Sequence, residues 1–225
     1  GYAGGLPASE AFPKAKAAAE KALSIDASLA EAHASLAHAR FNGDWDWAGA
    51  GAAFKRAIEL DPADATAHNW YASYLSAAGR HEQAIAEAKR AQELDPLSLG
   101  IRLNLGIRYY YARQYERSID QFQQTLEMER TDASARYWLA LALVQAKRYP
   151  EAIAELGKVE GFSVAGPLGY AYAVSGRKDE ARGVVNDLTP LARSQAGTVS
   201  PFDLAVIWAG LGGKDQALAW LEKAL

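Results

Sequence analysis

The sequence predicts an all-α fold, a solenoid of antiparallel helix hairpins, from three observations. A helix-sized apolar pattern returns with a period near 34 residues. The turn-opening prolines Pro62 and Pro96 are 34 apart, and small residues recur in two rows at about that interval. One row, Ala15, Ala50, Ala84, Ser118, Ala152, Ala181 and Ala217, opens the second helix of each unit, with spacings of 35, 34, 34, 34, 29 and 36. The other, Ala37, Ala72, Gly106, Ala140, Gly169 and Ala205, lies in the first helices. Two antiparallel helices approach closely only where both present little side chain. A bulky residue in either row is therefore expected to overpack the pair by about 1–3 kcal/mol.

A leading half repeat at about 1–29 supplies one helix, near 8–25. Full repeats follow at about 30–63, 64–97, 98–131, 132–160, 161–196 and 197–225, as one array with no second domain. Gly43, Gly79, Gly176 and Gly212 break paired helices, while Asp61-Pro62, Asp95-Pro96 and Ser200-Pro201 each place a cap before a first-turn proline. In the 30–63 unit, FNGDWDW adds one residue to the turn. Trp47 takes the aromatic position opening the second helix there; Trp45 has no slot in the pattern and is expected to pack across the turn. Arg102, Arg108, Arg113 and Arg117 concentrate positive charge in the 98–131 unit. Glu116 and Asp120 nearby make a solvated, partly paired helix face the expectation. The short spacing from Ala152 to Ala181 falls in GKVEGFSVAGP, where three glycines and Pro167 replace one helix end and the next helix start, so the path of the array is expected to change. Pro190 is expected to interrupt the second helix of the 161–196 unit, and Leu191 to Val199 to form a longer connection. The last helix carries Leu218, Trp220 and Leu221, and one uncovered apolar end is expected.

Composition excludes several functions. Lys and Arg number 24 against 27 Asp and Glu, and a formal charge of −3 gives no strong attraction to nucleic acid or an anionic membrane surface. No apolar run approaches the roughly 18 residues of a membrane span, so membrane insertion is not expected. Without cysteine there are no disulfides, thiolate nucleophiles or zinc-thiolate sites. Compartment stays open, with the cytoplasm favoured unless a parent protein has a membrane span. A start at Gly1, midway through a repeat, reads as a segment of something longer.

No catalytic, cofactor or metal motif holds. His81-Glu82 begins a zinc-protease pattern, but the second His would fall at Ile85. Gly210-Leu211-Gly212-Gly213-Lys214 resembles a phosphate loop, yet the required Gly and Ser or Thr positions hold Trp208 and Asp215, and the same residues suit an interhelix turn. His33, His38, His68 and His81 are scattered over three helices. His33 and His38 lie five apart, about 140° around a helix, so a packing or surface role is expected.

In its repeat the chain resembles the tetratricopeptide repeat family, whose unit carries a large apolar residue, a small one, an aromatic, Ala, an aromatic or apolar residue, Ala and Pro in order. Tyr71, Ala72, Leu75, Ala84, Ala88, Ala91 and Pro96 match it in one unit. Leu105, Gly106, Tyr109, Ser118, Phe122 and Thr125 match in the next, which departs at Arg130 where proline is expected. Leu139, Ala140, Leu143, Ala152 and Leu156 continue the pattern; Leu168, Gly169, Tyr172, Ala181 and Val185 follow; Leu204, Ala205, Trp208, Ala217, Leu221 and Ala224 close it. The resemblance implies a right-handed superhelix whose first helices line a concave surface that binds a peptide or partner segment.

Carried over by position, that surface is lined by His38 in the 30–63 unit and by Asn69, Trp70 and Ser73 in 64–97. Leu103, Asn104, Ile107, Tyr110 and Tyr111 follow in 98–131, Tyr137, Trp138 and Leu141 in 132–160, and Tyr170 in 161–196. Asn can hold a peptide backbone through donor and acceptor together; Tyr and Trp add apolar area with polar tips. A clamp for a C-terminal carboxylate is not expected, because the places beside the asparagines carry mainly Ala, Ser, Leu and aromatics, with Arg102 and Arg136 as the cations in neighbouring positions. The expected function is a non-catalytic protein-interaction scaffold. The stretches ATAHNWYASYLSAAGR, DPLSLGIRLNLG and VSPFDLAVIWAGLG are similar to C-terminal repeat regions of bacterial regulators that begin with a kinase or winged-helix domain, which implies an intramolecular regulatory role as the alternative. Homodimerisation through the terminal repeats, by way of Trp208, Trp220 and Leu221, is the structural alternative.

Overall fold

The computed structural model describes residues 6–160, 164–193 and 199–224, and is all-helical there, with no strand among the described residues. The chain divides into two compact units, 1–114 and 115–225. The first holds α1 (Ala8–Ile25), α2 (Ala30–Ala39), α3 (Trp47–Leu60), α4 (Ala65–Ala77), α5 (His81–Leu94) and α6 (Leu99–Tyr111). Helices α2 and α3 pair as one hairpin, and α4 and α5 as the next. The first helices α2, α4 and α6 lie side by side as one layer. The caps of α4 and α6 differ from the expected Asp61 and Asp95, which end α3 and α5 with Pro62 and Pro96 in the turns that follow; the Asp64 side chain accepts from the Thr66 and Ala67 amides, and Ser98 from Ile101.

The small rows sit inside the hairpins. Ala50, Ala84, Ala37 and Ala72 are all buried, beneath Phe54, Tyr71, Leu75, Ile85, Leu105 and Tyr109. Ala15 departs from its row and is exposed. No helix precedes α1 among the described residues, so the contact that buries this position elsewhere has no partner helix, and Ala19 is the buried residue of α1 instead.

The second unit holds α7 (Tyr115–Met128), α8 (Ala133–Gln145), α9 (Tyr149–Leu156), α10 (Ala165–Val174), α11 (Lys178–Arg193), α12 (Pro201–Leu211) and α13 (Lys214–Leu221). Ser118, Ala140, Ala152, Ala181, Ala205 and Ala217 are buried, with Gly169. Beyond the five-residue shortfall, the first helices α10 and α12, whose small residues Gly169 and Ala205 are 36 apart, pack against each other more closely than α2 does on α4. Glycine makes this approach: a Cβ on Gly169 would stand 2.6 Å from Ile207 Cδ1, and one on Gly210 would stand 2.9 Å from Ala173 Cβ and from the Tyr170 ring. Residues 161–163 of the glycine-rich stretch and 194–198 of the expected long connection lie outside the described residues.

Four further expectations are corrected. The chain does not break at Pro190, because α11 runs through it to Arg193. A proline there removes only the bond to the Asn186 carbonyl, in a helix that ends three residues later. Trp45 does not pack across the turn; it is 73% exposed and left-handed (φ 56°) after a π-helical turn over Arg40–Asp44. Trp220 is not part of an uncovered end, since it is 8% exposed against Leu204, Ile207 and Val185, with the Lys223 ammonium 4.2 Å from its ring centroid. Arg108 is not solvated: it is buried, its Nε has no hydrogen-bond partner, and burial pulls its pKa down to about 10.

Candidate functional site

Register determines which side chains of the first helices face outward and which are used internally. Four residues before the small residue of the first helix, the first four full repeats carry a base, His33, His68, Arg102 and Arg136, where the last two carry Ala165 and Pro201. Each base bonds the backbone carbonyl six residues upstream. His33 Nε2 reaches Ala27 O at 3.0 Å and His68 Nε2 reaches Pro62 O at 3.1 Å. Arg102 Nε donates to Pro96 O at 2.8 Å, and Arg136 Nη2 to Arg130 O at 2.6 Å. These bases tie the interrepeat turn to the helix it precedes, satisfying a carbonyl at a helix end. Arg136 also pairs with Glu155 at 2.7 Å, with both side chains 19% exposed. The arginines that neighbour the asparagine positions are thus held by their own chain.

His68 is the most constrained of the set. Its Nδ1 meets Glu87 Oε2 at 2.5 Å while Nε2 meets a carbonyl. Both partners accept, so both ring nitrogens must donate, and the imidazolium is the favoured form. The Glu87 hydrogen bond raises the pKa above the usual histidine value, against the opposing effect of burial. Sequence spacing alone had placed this residue among scattered histidines; the signal that would have found its role is the recurrence of a base at one register.

The expected lining residues fall as follows in the first unit. His38 is half-buried, stacked on Trp70 with ring centroids 4.4 Å apart, and Phe12 of α1 lies against its other side at 5.8 Å. Burial lowers the His38 pKa. Asn69 is buried, and Asn104 Nδ2 donates to its Oδ1 at 3.1 Å; Ser73 Oγ donates to the Asn69 carbonyl at 3.3 Å. Leu103 and Tyr110 are half-buried, Ile107 is buried, and Tyr111 is 51% exposed with its ring edge-on to Tyr110. The structure therefore joins His38 to Trp70 and Asn69 to Asn104, and leaves little of Ile107 at the surface. Between α2 and α4 lies a notch lined by Glu31, Ser35, Asp64, Thr66 and Trp70.

In the second unit Tyr137 and Trp138 are half-buried and edge-on at 6.2 Å, and Leu141 and Tyr170 are half-buried. The Tyr137 hydroxyl pKa is raised by burial and then by the Asp203 charge. Asp203 was missed by sequence reasoning. It stands two residues before Ala205, the register that Trp70, Asn104 and Trp138 occupy before their own small residues. No cluster of three or more His, Cys, Asp or Glu side chains suited to a metal occurs among the described residues, and none of the described helices is long and apolar enough to cross a membrane.

Residues 53–86 and residues 103–160 each match a family profile described as tetratricopeptide repeat. Small glutamine-rich tetratricopeptide repeat-containing protein 2 of Mycosarcoma maydis is 27% identical over 100 residues, 44% of this chain and 28% of that protein. The chain thus spans little more than a quarter of that relative. A solved tetratricopeptide repeat protein from Parabacteroides merdae aligns with a TM-score of 0.77 at 14% identity, over 95% of this chain and 85% of that one. YrrB, described as a tetratricopeptide repeat protein with an unusual peptide-binding site, aligns with a TM-score of 0.60 at 17% identity, over 91% of this chain and 98% of its own. At these identities the structural likeness speaks to the fold.

Proposed function

We propose that this chain is a non-catalytic scaffold in which the first-helix faces within a unit take a peptide or partner segment, a reading supported by the match of residues 53–86 and 103–160 to tetratricopeptide repeat profiles. The observation that carries the reading is the division of labour within those helices. The bases His33, His68, Arg102 and Arg136 are spent on the chain's own carbonyls, while Trp70, Asn104, Tyr110, Tyr111, Tyr137, Trp138 and Tyr170 keep surface. Such a face suits an extended segment with apolar or aromatic anchors and an exposed backbone. It does not suit a bare C-terminal carboxylate, since Arg102 and Arg136 are already bonded. The peptide-binding site named for YrrB agrees with this use of the fold.

In a longer bacterial signalling protein, a segment of the same polypeptide would fill the same face, which is the intramolecular form of this reading. The test is selection from a displayed library of random peptides on the immobilised chain. Peptides enriched by the wild type are expected to bind Trp70→Ala and Asn104→Ala about tenfold more weakly, with helical circular dichroism unchanged. Enriched peptides that bind both variants at full strength would place the contact elsewhere.

A second reading, self-association, is favoured by Leu218 and Leu221 on α13, which are 60% and 38% exposed. Light scattering over a concentration series decides it: mass that doubles in the wild type and stays monomeric in Leu218→Glu supports pairing through α13. The variant belongs at Leu218, since a charge at buried Trp220 would unfold the last hairpin.

A further inference from the structure

The first helices of the second unit are almost without charge. Helix α10 carries no ionisable acid or base apart from tyrosine, α12 carries Asp203 alone, and α8 carries Arg136, which is already paired with Glu155. Asp203 is half-buried, because α10 lies on α12 through glycine: a Cβ on Gly166 would stand 2.8 Å from the Asp203 carboxyl carbon. Among the described residues its carboxylate has neither an ion-pair nor a hydrogen-bond partner. Its place three residues after the Ser200 cap would allow a bond back to the Ser200 amide, yet that bond is not made, and the carboxylate lies against Gly166 instead. Tyr137 lies within reach of its charge, and Phe202, the preceding residue on α12, is exposed.

A carboxylate held partly out of water without a counter-charge is costly, and desolvation raises its pKa accordingly. We propose that Asp203 is an anionic anchor that takes a lysine or arginine side chain of the bound polypeptide. The proposal rests on the peptide-binding reading and adds the chemistry of one position in the ligand. A cation entering here supplies both a counter-charge and a charge-assisted hydrogen bond, whereas an acidic or apolar side chain leaves the carboxylate unpaired. A lone carboxylate does not assemble a metal site, so the occupant is an organic cation.

The same random-peptide selection on the full chain supplies the probes. Enriched peptides are expected to share Lys or Arg at one aligned position, and Asp203→Asn to bind them about tenfold more weakly. Peptides with that residue changed to methionine should bind wild type and Asp203→Asn equally. Thermal stability of Asp203→Asn at neutral pH should equal or exceed that of the wild type, because the variant removes a desolvated charge; a structural role at the helix start would lower it. Enriched peptides without a shared basic residue, or with undiminished affinity for Asp203→Asn, overturn the cation site and leave the peptide-binding face standing. A selection that enriches nothing removes both.

Discussion

His68 and Arg108 show how a buried base can be stabilising or costly according to its partners. His68 has two acceptors, so its folded pKa is raised. A raised value means that its contribution is fully present below the unfolded pKa of about 6.5 and is lost as the pH rises through the folded value. The melting-temperature gap between wild type and His68→Gln is therefore expected to be widest at acid pH and to narrow on the alkaline side. A gap that widens with rising pH contradicts the doubly donating imidazole. Arg108 has the opposite fate, buried with an orphaned Nε and a pKa lowered to about 10, hence still charged at neutral pH. Its register, two residues after the small residue, holds buried Ala39, Ala142, Ala171 and Ile207 and half-buried Tyr74 in the other repeats. Arg108→Met is expected to be neutral or to stabilise by about 1–4 kcal/mol, read as a higher urea midpoint at unchanged slope. A lower midpoint would mean that the guanidinium is paid for by a contact worth more than its desolvation. Neither outcome was legible in sequence, because a run of arginines beside Glu116 and Asp120 looks solvated until the helix face is known.

Among the elements, the turn between paired helices is the best-determined device. Seven residues after the small residue of the first helix the backbone is left-handed at Gly79, Arg113, Lys147, Gly176 and Gly212. The 30–63 repeat reaches the same conformation one residue later, at Trp45, because the π-helical turn over Arg40–Asp44 absorbs the inserted residue. That insertion was visible as a 35-residue spacing; its form was not, since an extra residue can enter as a loop or as a wider helical turn. A side chain at this conformation costs roughly 1 kcal/mol relative to glycine. Lys147→Gly should therefore raise stability by about that amount in urea unfolding, and a fall would show that the lysine side chain holds the turn. Helix pairing itself was readable, because only glycine- and alanine-sized residues at Gly169 and Ala205 allow the approach that the structure displays. Pro190 misled as a helix end, because a proline near a C-terminus forfeits a single bond.

For the whole molecule, recurrence carried most of the information. The two small rows mark the helix pairs α2–α3, α4–α5, α8–α9, α10–α11 and α12–α13, since each repeat buries its apolar side on neighbours of the same construction. The lining was less legible. Periodicity selects Trp70, Asn104 and Trp138, yet it cannot tell that Asn69 is already bonded to Asn104 or that Ile107 is buried, because those depend on the neighbouring repeat's side chains. Asp203 escaped notice because the family pattern values its register for asparagine and aromatics. The central claim is that the first helices receive the partner and the second helices do not. Hydrogen exchange, followed with and without a peptide enriched by the wild-type chain, tests this most directly. Added protection is expected in α4, α6 and α8 with α5, α7 and α9 unchanged; protection confined to the second helices would contradict the account.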